Sequence, residues 1–163
     1  MTARKVLSPA ALTQRVRRWR RAGKRVVFTN GCFDLLHAGH VQALEEAKAL
    51  GDVLIVALNT DRSVRRLKGP GRPLVPQAHR ARVIAGLACV DAVTCFDTPT
   101  PLPLIKRILP HVLAKGGDWS TKTIVGGDAV RAHGGKVMRL HYLRGCSTTN
   151  LINRIRQRSQ SPQ

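Results

Sequence analysis

The sequence predicts an α/β layered fold with a mostly parallel, five-stranded sheet flanked by helices. Segments of strand character alternate with helical segments along the chain, which is typical of layered α/β proteins. The segment 52–58 (DVLIVAL) is almost entirely apolar, as strands are when both faces of a parallel sheet are covered. The 163 residues, 43% of them hydrophobic, suit a single domain. We expect a basic N-terminal helix over 1–24, the main α/β core over 25–157 and a frayed tail over 158–163.

The helices are predicted from their end signals and the strands from their composition. Ser8 and Pro9 are a typical N-cap and first helical residue, and Gly23 is a typical helix end. The loop 68–73 (KGPGRP) is predicted because its glycines and prolines break regular structure. The other elements follow in the order strand 25–30, helix 38–50, strand 52–58, a short basic helix after 59–61, helix 76–89, strand 92–96, a helix after 98–101, strand 111–114, helix 129–133, strand 136–141 and helix 147–157.

The charge is the most unusual feature of the composition. Lys and Arg number 28 against 9 Asp and Glu, so the net charge is +19. Most of the basic residues fall in three acid-free stretches, 1–25, 62–82 and 129–163. Such an excess predicts a polyanionic partner: a nucleic acid, an anionic membrane surface or a phosphate-bearing substrate. Composition does not choose among these three.

The expected location is the cytoplasm. No apolar run approaches the ~20 residues that a membrane span needs, and the Arg-rich N-terminus lacks the apolar segment of a signal peptide. The four cysteines form no CxxC pair and no zinc-ligand spacing with histidine. Reduced thiols in a reducing compartment are therefore predicted.

The first predicted strand leads into a segment that has the properties of an anion site. His37 and His40 are three residues apart at the start of a helix, so their side chains share a face. The free N–H groups of the helix end and its dipole favour an anion there, and Gly39 lets a flat ligand approach the backbone. This pattern indicates phosphate binding, although an ordinary N-terminal turn would also satisfy it. No third ligand accompanies the two histidines, so a metal site is not expected.

A second segment has similar properties. Ser147, Thr148 and Thr149 open a helix after Gly145, which creates another helix N-terminus with hydroxyl groups. Simple N-capping is the alternative. Lys68 lies on a loop of glycines and prolines, where a mobile lid is expected, although a solvated lysine would fit the same pattern.

The segment 29–40 (TNGCFDLLHAGH) matches the HxGH signature of the nucleotidyltransferase superfamily, the cytidylyl- and adenylyltransferases of Rossmann-like fold. With Lys68, Arg72, Arg80 and the segments 115–118 (KGGD) and 145–150 (GCSTTN), residues 24–156 resemble the bacterial D-glycero-β-D-manno-heptose 1-phosphate adenylyltransferases. The resemblance implies that ATP and heptose 1-phosphate give ADP-heptose and pyrophosphate for lipopolysaccharide core synthesis. It also implies Mg²⁺ on the triphosphate and allows a homodimer.

The resemblance implies a role for each matching residue. His37 and His40 would contact the α-phosphate and stabilise its transition state, and Lys68 would reach the phosphates as the site closes. The other residues implied to bind the nucleotide or its phosphates are Thr29, Asn30, Gly31, Phe33, Asp34, Gly39, Arg80, Gly117, Asp118, Ser147, Thr148 and Thr149. Candidate contacts to the second substrate are Asn59, Asp61 and Arg72. Relatives carry an acid two positions before the helix arginine, but this chain has Ala78, so the usual partner of Arg80 is missing.

Two alternatives stay open from the sequence. A cytidylyltransferase for a small alcohol phosphate, such as glycerol 3-phosphate, would use the same two motifs. A nucleic-acid-binding module would use the Arg-rich N-terminal helix. Aromatic residues make up only 4% of the chain, so platforms for stacking bases are scarce and the nucleic-acid reading is less favoured.

Overall fold

The structure is a computed structural model, and it describes residues 2–117, 123–141, 143 and 145–160. Its described part contains a five-stranded, all-parallel sheet in the order β3-β2-β1-β4-β5, which confirms the predicted fold class. The strands are β1 (Val26–Gly31), β2 (Val53–Asn59), β3 (Ala92–Phe96), β4 (Val112–Gly116) and β5 (Lys136–Leu140). The helices are α1 (Pro9–Arg21), α2 (Ala38–Ala49), α3 (Asp61–Lys68), α4 (Gln77–Gly86), α5 (Leu102–Ile108), α6 (Gly127–Ala132) and α7 (Thr148–Gln160).

The core has two halves, one on each face of the sheet. Every residue of β2 is buried, as its apolar run predicts. Ile55 and its alternate neighbours pack with residues of α1, α5 and α6. Leu54 and its alternate neighbours pack with residues of α2 and α4. The sheet is therefore the middle of three layers.

The N-terminal segment closes one edge of the sheet. A short 3₁₀ helix (Thr2–Lys5) precedes Val6, which forms a parallel bridge with Val93 of the edge strand β3. The N–H of Leu7 donates to the carbonyl of Val93 at 2.8 Å. Unpaired strand edges invite aggregation, and this contact covers one of them. The helix predicted over 1–24 is therefore shorter and runs over Pro9–Arg21, because a single bridge has no periodicity by which a sequence could reveal it.

Two helices end three residues away from the predicted position. α4 ends at Gly86 rather than at residue 89, because Leu87 is extended with ψ of 136°. α7 continues through Gln160, so the tail predicted from residue 158 is helical over its first three residues. Among the described residues, no helix combines the length and the apolar character that a membrane crossing requires.

The sheet topology places all the sequence motifs at one edge. Parallel strands end on the same side, and β1 lies between β2 and β4, where the strand order reverses. The segments that follow β1, β2 and β4 therefore meet there, and the loop after β5 leads to α7 on the same side. Ligands of open α/β sheets bind at this kind of switch point.

Candidate active site

The two histidines of the first motif form a stacked pair at the start of α2. Their ring centroids are 3.7 Å apart with an angle of 22° between the planes. His37 is the N-cap residue of α2 by its backbone, yet its side chain makes no cap hydrogen bond. In both rings the Nδ1 atom is buried and has no partner in the structure. Two polar atoms of the pair are thus left without a protein group to satisfy them.

Burial determines the protonation of this pair. It lowers the pKa of His37, and burial together with the neighbouring His37 lowers the pKa of His40 to about 4. Both imidazoles are therefore neutral at pH 7 in the ligand-free protein. A neutral ring offers one N–H donor, and an arriving anion would favour the charged form of either ring.

The turn before the histidines is built on β1. Thr29 is buried within β1, and Gly31 ends the strand. Phe33 adopts a positive φ of 46°, which is uncommon for a residue with a side chain. Its ring lies 5.0 Å from that of His40. This contact holds the His40 ring from one side, while His37 covers another.

The second motif lies directly against the first. A Cβ atom placed on Gly39 would come within 3.1 Å of the Cβ of Cys146, so the missing side chain permits close approach of the segment before α7. The hydroxyl of Thr148 donates to the carbonyl of Leu35 at 3.3 Å. Ser147 accepts from the N–H of Asn150 at 3.0 Å and so caps α7. The N-termini of α2 and α7 therefore lie together, and Thr149 is exposed at the second one.

Asp34 ties down the loop that precedes α4. Its side chain is fully buried and accepts from the N–H groups of Leu74 and Val75 at 2.9 Å and from Nε of Arg72 at 2.5 Å. Burial raises the pKa of Asp34, but the two N–H groups and Arg72 outweigh it and the net pKa is lowered. Asp34 and Arg72, predicted as ligand contacts, are thus engaged with each other in this structure.

Arg80 is held by the protein on almost every side. It is 1% exposed, and its guanidinium donates to the carbonyls of Cys32, Asn59 and Val75. Its Nη2 also pairs with Asp61 at 2.7 Å. Asp61 thereby supplies the ion pair that Ala78 cannot make. Four of the five N–H groups of Arg80 are used, so its predicted contact with phosphate gives way here to joining β1, β2 and the loop before α4.

The two predicted substrate contacts at and just after the end of β2 also contact other protein groups. Asn59 is 5% exposed, and its amide donates to the hydroxyl of Ser63 at 2.9 Å. Asp61 accepts from Arg80 and from the N–H of Gln77 at 3.1 Å. These residues hold the site together from within the fold, because they join the end of β2 to α3 and α4.

Two lysines border the same edge of the sheet. Lys68, the last residue of α3, is exposed. Lys115, near the end of β4, donates to the carbonyl of Asn30 at 2.9 Å. Gly117 follows with a φ of 99°, a backbone conformation that favours glycine. Asp118, predicted as its companion, lies outside the described residues.

Comparison with known proteins bears on this arrangement. The family model described as cytidylyltransferase-like matches residues 28–154, which include both motifs. The chain belongs to the cytidylyltransferase-like family of nucleotidyltransferases. The resemblance stated from the sequence is thereby confirmed at the level of the family.

Individual relatives of this cytidylyltransferase-like protein support the same family assignment. It is 54% identical over 139 residues to the bifunctional protein HldE of Syntrophotalea carbinolica, and 52% identical over 151 residues to that of Magnetococcus marinus. These alignments cover 85% and 93% of this chain but only 28% and 31% of the relatives. A solved lipopolysaccharide core biosynthesis protein from Thermoplasma volcanium superposes with a TM-score of 0.64 and 26% identity, over 74% of this chain and 99% of that one.

The carboxylates of this cytidylyltransferase-like protein do not form a magnesium cradle in the part of the chain that the structure describes. Asp34 and Asp61, which lie at the site, are both occupied by arginine and N–H donors. No group of three or more potential metal ligands occurs within the described ranges. Mg²⁺ needs several oxygen ligands in octahedral geometry, so these residues do not fit a resident ion.

The site also contains residues that the sequence prediction did not include. The prediction includes Lys115 only as a member of the segment 115–118, and it assigns no role to Ser63 or Leu35. A signal for Lys115 existed, because a charged residue at the end of an otherwise apolar strand is unusual. The contacts of Leu35 and Ser63 involve a backbone carbonyl and a local hydroxyl, and no sequence pattern reports those.

Proposed function

We propose that this protein transfers AMP from ATP to a sugar 1-phosphate, with D-glycero-β-D-manno-heptose 1-phosphate as the first candidate. The products would be ADP-heptose and pyrophosphate. The observation that carries the proposal is the stacked pair His37 and His40 at the N-terminus of α2, with two buried, unpartnered Nδ1 atoms. Similarity to proteins named HldE and to a lipopolysaccharide core biosynthesis protein supports the sugar class.

The proposed reaction needs no general base. A phosphate oxygen of the sugar phosphate, already ionised at neutral pH, attacks the α-phosphorus in line. The new P–O bond forms as the bond between the α-phosphorus and its bridging oxygen breaks, and pyrophosphate leaves with that electron pair. Catalysis then depends on positioning and on stabilising negative charge.

The residues at the sheet edge supply that stabilisation. His37 and His40 would donate to the α-phosphate, and the N-termini of α2 and α7 would add backbone N–H groups. Lys68 would reach the triphosphate from the end of α3. Removing one such donor typically costs ~3–4 kcal/mol of transition-state stabilisation.

Magnesium is proposed to enter with the nucleotide. The described carboxylates do not hold a resident ion, so phosphate oxygens and water would provide its ligands. When bound, Mg²⁺ would offset charge on the triphosphate. The roles of the protein residues given above do not depend on its exact position.

The test is a matrix of two nucleotides and two acceptors. Wild-type protein with Mg²⁺ is incubated with ATP or CTP and with heptose 1-phosphate or glycerol 3-phosphate, and pyrophosphate release and the nucleotide-sugar product are measured. We expect the pair ATP and heptose 1-phosphate to give the highest kcat/KM. Preference for CTP with glycerol 3-phosphate would replace the proposal by the cytidylyltransferase alternative. Absence of pyrophosphate in every arm would reject both.

The role of His40 is tested by comparing two histidine substitutions, one in the site and one outside it. His40→Ala should lower kcat by roughly 100-fold or more and change the KM for ATP little, because its donor acts mainly on the transition state. His79→Ala, an exposed histidine on α4, should behave like wild type. Near wild-type kcat in His40→Ala would remove His40 from the mechanism.

A further inference from the structure

Lys115 occupies the switch point of the sheet. It lies on β4, which pairs with β1 in the register Val27 with Val112, so residue 115 stands level with residue 30. Its ammonium reaches across to the carbonyl of Asn30 at 2.9 Å. That carbonyl belongs to the strand end from which the segment carrying His37 and His40 begins. The cation is thus directed to the place where the ligand of such a sheet binds.

The charge of Lys115 lacks a counter-ion in the part of the chain that the structure describes. An ammonium has three N–H donors, and one of them is used, by the Asn30 carbonyl. None of the ion pairs among the described residues includes Lys115. Lys115 itself is half-buried, whereas Arg80, a fully buried cation nearby, has Asp61 as its partner. Burying a cation without an anion is costly, so a site that keeps one is suited to an anionic ligand.

The groups around Lys115 make an anionic partner for its ammonium still more favourable. Burial lowers the pKa of Lys115; of the neighbouring groups, Cys32 raises this pKa when it is ionised and the positive charge of Lys68 lowers it. Burial also raises the pKa of the Cys32 thiol, which outweighs the effect of the nearby cations, so Cys32 provides no anion at neutral pH. A bound phosphate would offset the positive charges of Lys115 and Lys68 at once, and it would give the Lys115 ammonium the anionic partner that Cys32 does not provide. A carboxylate would satisfy fewer donors than a phosphate with its several oxygens.

We infer that Lys115 is a substrate-binding residue whose ammonium holds a phosphate group of the nucleotide or of the acceptor. The inference rests on the proposed function for the identity of the acceptor, but not for the chemistry of the contact. Both sources present the same anionic phosphate oxygens at the ends of β1 and β4. Lys115 would act from the end of β4, while Lys68 would act from the end of α3.

The experiment compares Lys115→Met with Lys106→Met, an exposed lysine on α5. The affinity for ATP and for CTP is measured by calorimetry without acceptor, and the KM of each substrate is measured in the pair that wild-type protein turns over. Loss of a charged hydrogen bond predicts a roughly 10- to 150-fold weakening. A loss in nucleotide affinity assigns the contact to the triphosphate, and a rise in acceptor KM alone assigns it to the acceptor phosphate. Lys106→Met should match wild type.

The inference fails if Lys115→Met keeps every affinity and KM within about twofold of wild type. Its failure differs from that of the proposed function, which would appear as wild-type protein without turnover. In that case calorimetric titrations with the nucleotides and with heptose 1-phosphate and glycerol 3-phosphate decide, and unchanged affinity for all of them in Lys115→Met overturns the inference. Thermal unfolding verifies that the variant folds. If it does not, Lys115→Gln, which is neutral but keeps a donor of shorter reach, takes its place under the same criteria.

Discussion

Replacing Arg80 by methionine separates two roles for this residue. The sequence pattern assigns Arg80 to phosphate, whereas the structure shows its guanidinium joining the carbonyls of Cys32, Asn59 and Val75 and pairing with Asp61. A phosphate ligand can be removed with little effect on folding. A buried connector cannot, because its partners lose their hydrogen bonds and one charge loses its counter-ion.

The size of the effect follows from the burial of the pair. Breaking a fully buried ion pair by removing one member costs about 3–5 kcal/mol. The Arg80 side chain is fully buried, but that of Asp61 is 32% exposed and can regain water. We therefore expect a loss of about 2–4 kcal/mol in the free energy of unfolding. At roughly 2–4 °C per kcal/mol for a chain of this size, Tm falls by about 4–16 °C.

Thermal and urea unfolding measure the difference directly. Arg82→Met is the matched control, because Arg82 lies on the same helix and is exposed; its free energy of unfolding should change by less than about 0.5 kcal/mol. Arg80→Lys keeps the charge but has fewer donors, so it should lie between Arg80→Met and wild type. If Arg80→Met has the same free energy of unfolding as Arg82→Met while its KM for ATP rises, Arg80 is a ligand of the nucleotide. Its role in joining parts of the fold is then wrong.

Three further outcomes follow from the site. Gly39→Ala should lower kcat/KM at least about tenfold, because its Cβ would crowd Cys146 and His37; Gly71→Ala, with open space around it, should not. NMR titration of ligand-free protein should show His40 neutral down to about pH 4, and stability should fall as pH drops from about 6.5 to 4, because the unfolded chain binds the extra proton. Asp34→Asn should weaken the hold on residues 72–75 and speed their cleavage by protease relative to wild type.

The regular part of the fold could be predicted because its signals are local. The apolar run of β2 and the Ser8 cap of α1 specify their elements within a residue or two, and Ser8 accepts from the N–H of Ala11 as expected. The parallel direction of the strands could be predicted from the alternation of strands and helices along the chain. The end of α4 and the extension of α7 could not be predicted, because helix ends depend on local backbone geometry as much as on residue type.

The positions of the motifs were also predictable, but the occupation of their side chains was not. The sequence placed His37, Gly39 and Thr148 at helix starts, and the sheet brings them together. It could not show that Asp61 pairs with Arg80, since the two are 19 residues apart. The pattern expects the acidic partner at position 78, where this chain has Ala78. Nor could it show that Lys115 reaches the carbonyl of Asn30, 85 residues away. Contacts between separate strands depend on register, which the chain specifies only when folded.

The pairing of charges at the sheet edge explains part of the excess of +19. The two arginines there have acidic partners, Arg72 with Asp34 and Arg80 with Asp61. The two lysines do not pair with a carboxylate of the described residues. Acids are thus used where a rigid, planar cation joins parts of the fold, and the compact ammonium groups stay available to an incoming anion. Such an arrangement would attract the two polyanionic substrates of the proposed reaction, so their KM values should rise with ionic strength.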